Sequence, residues 1–412
     1  MSGKQPRDIR MRGFAQRSSV DEAIAWVDSA SSQLGSQTIP LNSARGRVLA
    51  SDVAAPMSVP PFERSAMDGY AVIAEETTGA TDYNPLPFQV IGQSMPGRAF
   101  DGDLSAGNAV RIMTGAPIPN GCTCVVPVEF TTAEGERVSV TQPIATGKHV
   151  GRIGEDIAEG TTVLPNGRVL RPQDLGVLAS LGIDSVPVVR RPRVRIITTG
   201  NELAVPGSGR EEFQIYDANT SILTALVERD HAELEAAIRV EDTDAAIRSA
   251  LTDGEVDVIL VGGGSSVGAE DFAPQIVSEE GELPIHGIAM RPSSPSGMGR
   301  IGDTLVFLLP GNPVSCLCAY DFFAGRSIRQ LGGRPRDWPY AKTTARLSRK
   351  ISSVVGRVDY CRVLSKDGIC EPIAISGASI LSSTTRADGF VVVPAGGEGY
   401  AEGTEVSVFL YQ

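Results

Sequence analysis

The sequence predicts a multi-domain α/β and β protein. One doubly wound parallel α/β domain is flanked by an extended α+β region, a small β domain and a C-terminal β barrel or sandwich. Three observations carry this expectation. Between Arg193 and Gln330, runs rich in β-branched and apolar residues (VRIITT, VDVILV, LVFLLP) alternate with stretches of helical pattern, as strands buried on both faces alternate with crossover helices. On either side the texture is short β-prone pieces broken by glycine and proline turns. The chain has 412 residues, room for roughly two to four domains of ordinary size.

The elements follow in order. Ser19 and Glu22 form a capping box, and Ala23, Ile24, Trp26 and Val27 continue at helical spacing, so a helix starts there. The stretch APMSVPPF, Ala55 to Phe62, breaks the chain. From Asp68 to Gln142 the pieces YAVI, PFQVIG, NAVRIM, CTCVVPV and RVSVTQ predict a small β domain. Lys148 to Val189 is a second extended piece with one helix, signalled by Pro172 at its first turn, Leu175, Val177, Leu178 and Leu181 on its face, and Gly182 as its stop. VRIITT then opens the α/β domain, with helix at Ala218–Arg229, strand at Leu234–Val240, helix at Thr243–Leu251, strand at Val256–Val261, strand at Leu305–Pro310 and helix at Val314–Gln330. After Arg334–Tyr340 short strands return. The expected domains are 1–60 with 146–190, 61–145, 191–335 and 340–412.

Composition excludes some classes of function. The formal net charge is −12, a poor match for nucleic acid or an anionic membrane, both of which want a basic face. No apolar run approaches the length of a membrane span. The basic N-terminal arm (Lys4, Arg7, Arg10, Arg12, Arg17) lacks the apolar core of a secretory signal, so the expected location is cytoplasmic. The pairs Cys122/Cys124 and Cys316/Cys318 have CxC spacing with no histidine near, which favours buried, reduced thiols over zinc.

In an open parallel sheet, ligands bind beyond the carboxyl ends of the strands. Three such ends stand out: TTGNEL with Glu202, the stretch VILVGGGSSVGAEDF from Val258 to Phe272, and LLPGNPVS with Pro310, Gly311, Asn312 and Pro313. The glycine loop is neither a Walker loop nor GxGxxG. It reads either as a tight strand-to-helix turn with no ligand, or as a nest of N–H groups for an anion. Glu202 and Asp271 favour a ligand. Carboxylates beside a phosphate repel it unless a hard cation intervenes, and Mg²⁺ takes one or two carboxylates with phosphate oxygens. Asp68 in RSAMDGY, Thr114 in RIMTGAP and Asp156 in GEDI lie in polar turns outside this sheet. Spacing does not join them to it.

SAMDGYA, RIMTGAP, GEDI, TTGNEL, GGxSxGxxD and LPGNPVS occur in this order. Together they resemble the MoeA-type molybdopterin molybdenumtransferases, a family that includes the E domain of gephyrin. The resemblance runs from about Val20 to the C-terminus. It implies a molybdopterin-binding α/β domain in an elongated four-domain subunit of a homodimer, with the site between the α/β domain of one subunit and the β domain of the other. It implies hydrolysis of adenylylated molybdopterin with Mg²⁺, release of AMP, and insertion of molybdate at the dithiolene. It implies that Asp68, Thr114, Asp156, Glu202 and Asp271 form the catalytic set, with Glu202 and Asp271 on the Mg²⁺. Gly263, Gly264, Ser266 and Gly268 would cradle the pterin phosphate, and Pro310–Pro313 would shape the pocket wall. A molybdopterin-adenylylating enzyme and apo-molybdoenzymes are the implied partners.

One segment departs from the family pattern. Where the family has Lys-Pro-Gly-Lys-Pro, this chain has Arg291-Pro292-Ser293-Ser294-Pro295. Arg291 keeps the first charge and would contact substrate, whereas Ser294 offers only a neutral hydrogen bond in place of a mobile cation. Arg300 reads either as a replacement or as a solvated loop arginine. Ser376–Ser383 resembles the family's Gly-Ser-Gly-Met-Leu-Ser-Ser with altered small residues, and Arg386 follows. Two alternatives to the transferase therefore stand: a molybdopterin-binding scaffold impaired in insertion, and a tungstate-inserting variant. A nucleotide-adenylylating enzyme would not explain the flanking β domains or SAMDGYA.

Overall fold

The computed structural model describes residues 17–264, 271–374 and 377–411. Ser266, Gly268, Glu270, Ser376 and the basic arm before Arg17 lie outside the described residues. The chain divides into two compact units, 38–188 and the remainder.

The larger unit begins with α1 (Val20–Ala30), and the expected capping box forms: the Ser19 N–H donates to Glu22 Oε2 at 2.7 Å and the Glu22 N–H donates to Ser19 Oγ at 3.1 Å. Its buried face (Val20, Ala23, Val27) packs into the α/β core. The sequence grouped this helix with residues 1–60; its apolar stripe matches the sheet-facing helices instead.

The α/β domain runs β1 (Arg193–Thr199), α2 (Asn219–Arg229), β2 (Glu233–Val240), α3 (Asp244–Thr252), β3 (Val258–Gly262), α4 (Ala273–Glu280), β4 (Glu282–His286), β5 (Gly297–Ile301), β6 (Thr304–Leu309) and α5 (Pro313–Ala319). The sheet order is β2-β1-β3-β6-β5-β4. Side chains alternate across it. Val194, Ile196, Val258, Leu260, Leu305 and Phe307 join one core with α1 and α2. Ile197, Ile259, Val261, Val306 and Leu308 join another with α3 and α4. Both faces of the central strands are covered, so β3 and β6 are almost wholly apolar.

The sequence predicts a parallel sheet, but the sheet is mixed. β2, β1, β3 and β6 are parallel, but β5 runs antiparallel to β6 and β4 antiparallel to β5. β5 reads as loop because of its glycines. Gly299 has a packing reason: a Cβ there would fall 2.0 Å from the Glu282 carbonyl oxygen. The turn from β5 to β6 uses Gly302 at φ +58, a conformation cheap only for glycine.

The C-terminal domain is a closed five-stranded barrel, which settles the barrel-or-sandwich choice. Its ring runs Val358–Lys366, Ile369–Ala374, Ala341–Leu347, Glu405–Leu410, Gly389–Val393 and back to Val358–Lys366. The nine-residue first strand closes it, pairing Gly389–Val393 through Asp359–Val363 and Ile369–Ala374 through Arg362–Lys366. Closure removes the exposed sheet edges.

In the smaller unit, a six-stranded sheet has the order Cys124–Pro127, Gly69–Val72, Asn108–Ile112, Leu86–Ser94, Arg137–Val140, Thr131–Glu134. The helix Pro172–Ser180 starts on its proline and is followed by Gly182 at φ +73. Leu178 packs there with Leu41, Leu49, Leu170 and Val188.

All six cysteines are free. Burial pushes the Cys122 thiol up to about 11 and Cys124 to about 12, so neither is a thiolate at neutral pH. Among the described residues no helix is long and apolar enough to cross a membrane.

Candidate active site

The chain steps from β1 to β2 on one side of the sheet and then to β3 on the other. That reversal opens a crevice between the ends of β1 and β3. A cavity of about 630 Å³ sits there. Its lining comes from the end of β1 (Thr199, Gly200, Glu202), the end of β3 (Gly262, Gly263, Gly264), Asp271, and the turn after β6 (Pro310, Gly311, Asn312, Pro313). The three strand ends read from sequence therefore meet in one place.

Gly263 is held at φ +101, and a Cβ there would lie 2.5 Å from the Thr199 carbonyl oxygen. Its N–H donates to the Leu309 carbonyl at 3.1 Å. A Cβ on Gly311 would lie 3.7 Å from Gly263 Cα. Glycine at 263 is thus what lets the β3 loop fold against the end of β1, in touch with the Pro310–Pro313 turn.

The cavity is lined by Glu202, Asp217, Asp242 and Asp271. Asp242 accepts a hydrogen bond from Thr199 Oγ1 and another from the Asn201 N–H at 3.2 Å. Asp217 accepts from Thr198 Oγ1 at 3.1 Å and from the N–H and Oγ1 of Thr220 at 3.0 and 2.6 Å, so it also caps α2. Sequence reasoning missed Asp217, Asp242, Tyr216 and Asn219. Asp242 was reachable, because it follows β2, a fourth strand end of the same sheet. β2 alternates exposed and half-buried residues as an edge strand, so its end was not counted with the apolar ones.

Among the described residues no histidine or cysteine lines the cavity. Among the described residues no group of three or more His, Cys, Asp or Glu is placed to hold a metal. An all-oxygen lining of carboxylates nonetheless fits Mg²⁺, which needs only one or two of them when phosphate and water supply the rest.

The other sequence-predicted residues are not gathered in one place. In the smaller unit, RSAMDGY, RIMTGAP and GEDI come together. The Thr114 N–H and Oγ1 donate to Asp68 Oδ1 at 2.7 and 2.8 Å. Ser65 pairs with Val150 and Arg64 with Gly151, and the Arg64 guanidinium reaches Glu155 at 3.4 Å. Asp156 is exposed in the same GEDI turn, its N–H bonded to the Val59 carbonyl. Arg291 does not line the cavity; it donates to the wholly buried Asp359 at 2.6 Å. Ser294 is next to Pro295, which does line the cavity, and its buried Oγ has no hydrogen-bond partner. Arg300 pairs with Glu282 at 2.9 Å across two neighbouring strands, both side chains about half exposed. It is a surface ion pair and does not stand in for the missing lysine. Ser379, from the altered small-residue stretch, lines the cavity.

The Thr114 N–H, then its hydroxyl, hold the Asp68 carboxyl below its ordinary range. Thr114→Val keeps the shape and the N–H but removes the hydroxyl. The Asp68 pKa is then expected to rise toward, without reaching, the ordinary carboxylate value, as read by carboxyl NMR titration. No rise would show that the hydroxyl bond is absent in solution.

Three family profiles match the chain in series: "MoeA N-terminal region (domain I and II)" at residues 18–182, "Probable molybdopterin binding domain" at 195–330, and "MoeA C-terminal region (domain IV)" at 344–411. A relative from Mycobacterium tuberculosis, molybdopterin molybdenumtransferase 2, is 38% identical over 384 residues, covering 90% of this chain and 94% of its own. The molybdopterin molybdenumtransferase of Bacillus subtilis is 32% identical over 95% of this chain and 93% of its own. A solved structure of a molybdopterin biosynthesis MoeA protein from Pyrococcus horikoshii superposes with a TM-score of 0.84, at 31% identity, over 96% of this chain and 100% of that one. With the glycine loop, its acids and the PGNP turn gathered at one end of the α/β sheet, and likeness along nearly the whole chain, this protein belongs to the MoeA family of molybdopterin molybdenumtransferases and has its role in molybdenum cofactor biosynthesis.

Proposed function

We infer that the chain hydrolyses adenylylated molybdopterin, releases AMP and transfers molybdate to the dithiolene, with Mg²⁺ required. The observation that carries this is one cavity lined by both a glycine loop and carboxylates. Its size suits a small-molecule ligand. The anhydride step adds water to one phosphorus and breaks its bond to the bridging oxygen, so that AMP leaves with that oxygen or with the one from water. The cation, held by Glu202 and Asp271, would neutralise charge on the phosphates. The residues themselves orient: the glycine loop lets the backbone approach a ligand closely, and Asp242 fixes the Thr199–Asn201 turn. Phosphoryl chemistry of this kind needs positioning more than a covalent nucleophile. A homodimer, supply by a molybdopterin-adenylylating enzyme and delivery to apo-molybdoenzymes belong to the same reading and are supported by the family likeness.

The test is AMP release from adenylylated molybdopterin under anaerobic conditions, followed by chromatography, with Mg²⁺ or chelator and with molybdate or tungstate. Release that needs both Mg²⁺ and molybdate is the expected result. Ligand binding without release would sink the transferase reading and favour the scaffold. Release with tungstate alone would favour the different-metal variant. Ser294, which places a neutral hydroxyl where the family has lysine, is the specific reason to keep those two outcomes in view.

A further inference from the structure

The α5 helix continues past Ala319 through a π-helical turn, Tyr320–Ala324, into α6 (Gly325–Leu331). Such turns are rare and recur at functional sites. This one carries Asp321, which is wholly buried and does not line the cavity. Its carboxylate accepts from Arg229 Nη2 at 2.9 Å and from the Tyr340 hydroxyl at 2.8 Å. Arg229 Nη1 donates to the same hydroxyl at 2.6 Å, and its Nη2 also reaches the buried Asp230 at 3.0 Å. A Cβ on Gly325 would fall 2.7 Å from Asp230 Oδ2, so the cluster packs directly on the helix backbone. Three pieces of chain meet here, and each leads to the cavity. Arg229 ends α2, whose first residue, Asn219, lines the cavity. Asp321 follows α5, whose first residue, Pro313, lines it too. Tyr340 leads into the barrel strand Ala341–Leu347, and the barrel supplies Ser379. The Val314 N–H donates to the Ala378 carbonyl at 3.1 Å, so this barrel segment seats on the first turn of α5.

We propose that Arg229, Asp321 and Tyr340 are positioning residues for the cavity. They lock the barrel to the C-terminal ends of α2 and α5, and so hold Ser379 on the cavity wall. Buried ionic clusters add little net stability, and their best-attested use is to specify one arrangement of the parts they join. The parts joined here are the α/β domain and the barrel, which both contribute to the cavity lining. Tyr340 is the member that crosses between them, since its hydroxyl serves Arg229 and Asp321 while its ring packs against Phe390 and Tyr411.

Tyr340→Phe removes the shared hydroxyl and keeps the ring. Amide hydrogen exchange of the ligand-free, full-length protein would be compared with wild type by mass spectrometry. The Val314 amide is expected to exchange about tenfold faster in the variant, while the amides of β3 keep their wild-type rates. Asp321→Asn is expected to act in the same direction; should it fold poorly, Tyr340→Phe still decides. Unchanged exchange at Val314 overturns the proposal. So does an equal rise in β3, which would make the cluster a general support of the fold. The kinetic arm rests on the functional reading above. There, KM for adenylylated molybdopterin is expected to rise about fivefold with kcat within about twofold, because a wall binds ground and transition state alike. A fall in kcat at unchanged KM, or no change in either, overturns the positioning role. Wild type that releases no AMP overturns the functional reading alone, and the exchange result still decides the proposal.

Discussion

Asp271→Asn is expected to lower AMP release by about a hundredfold or more, since removing a residue that would hold the cation should cost at least as much as removing an outer partner of a metal site. Asp271 lines the cavity, and its Oδ1 lies 4.0 Å from where a Cβ on Gly264 would sit. It is therefore at the glycine loop, where a phosphate would meet a cation. Asparagine keeps the shape and removes the charge. Without Mg²⁺, affinity for the anionic ligand should hold or rise, because a negative charge beside phosphate is gone. With Mg²⁺, hydrolysis should collapse and partly recover at high Mg²⁺. A variant that hydrolyses at the normal rate would remove Asp271 from the metal and leave Glu202 and Asp242 as the acids to test.

Asp359→Ala is expected to be the most destabilising single change in the barrel. The Asp359 carboxylate is wholly buried and accepts from Arg291 at 2.6 Å, Arg357 at 2.8 Å and Ser353 at 2.8 Å. Removing it strands two guanidinium groups. Breaking a buried pair costs about 3–5 kcal/mol. Both arginines are about one-third exposed, so water recovers part of this and about 3 kcal/mol is the expected loss. Asp359→Asn, which keeps one acceptor oxygen, should lose about half as much. Chemical denaturation followed by Trp338 fluorescence would read the change, since Trp338 packs against Phe390 and Phe409 of the barrel. An alanine variant as stable as wild type would mean the arginines find other partners. The same variant frees Arg291 from its present role, so any change in oxyanion affinity would bear on the segment that departs from the family pattern.

Much of this protein was legible in its residues. The β-branched and apolar runs at 193–199, 258–262 and 304–309 specified buried strands, since a strand covered on both faces lacks the polar alternation of a half-buried one. The capping box at Ser19 and Pro172 at a first turn fixed two helix starts, since both signals act within one turn. The three strand ends carrying Glu202, Gly263 and Pro310–Pro313 could be named as a site because parallel strands direct their carboxyl ends to one side. The family motifs, read in order, gave the resemblance that the matches along the chain then showed.

The sequence by itself determined local conformation and burial, the properties that depend on neighbours a few residues away. Tertiary structure alone decided which groups meet across long separations: that Thr114 holds Asp68, that Asp242 closes on the end of β1, that Asn219 donates to Gly311. It also decided that Arg291 answers Asp359 and Arg300 answers Glu282, so that two cations readable as site residues are held elsewhere. The physical reason is that a charge or amide goes to whichever partner the folded backbone brings within hydrogen-bond reach. That distance is set by sheet order and register, which no stretch of sequence contains.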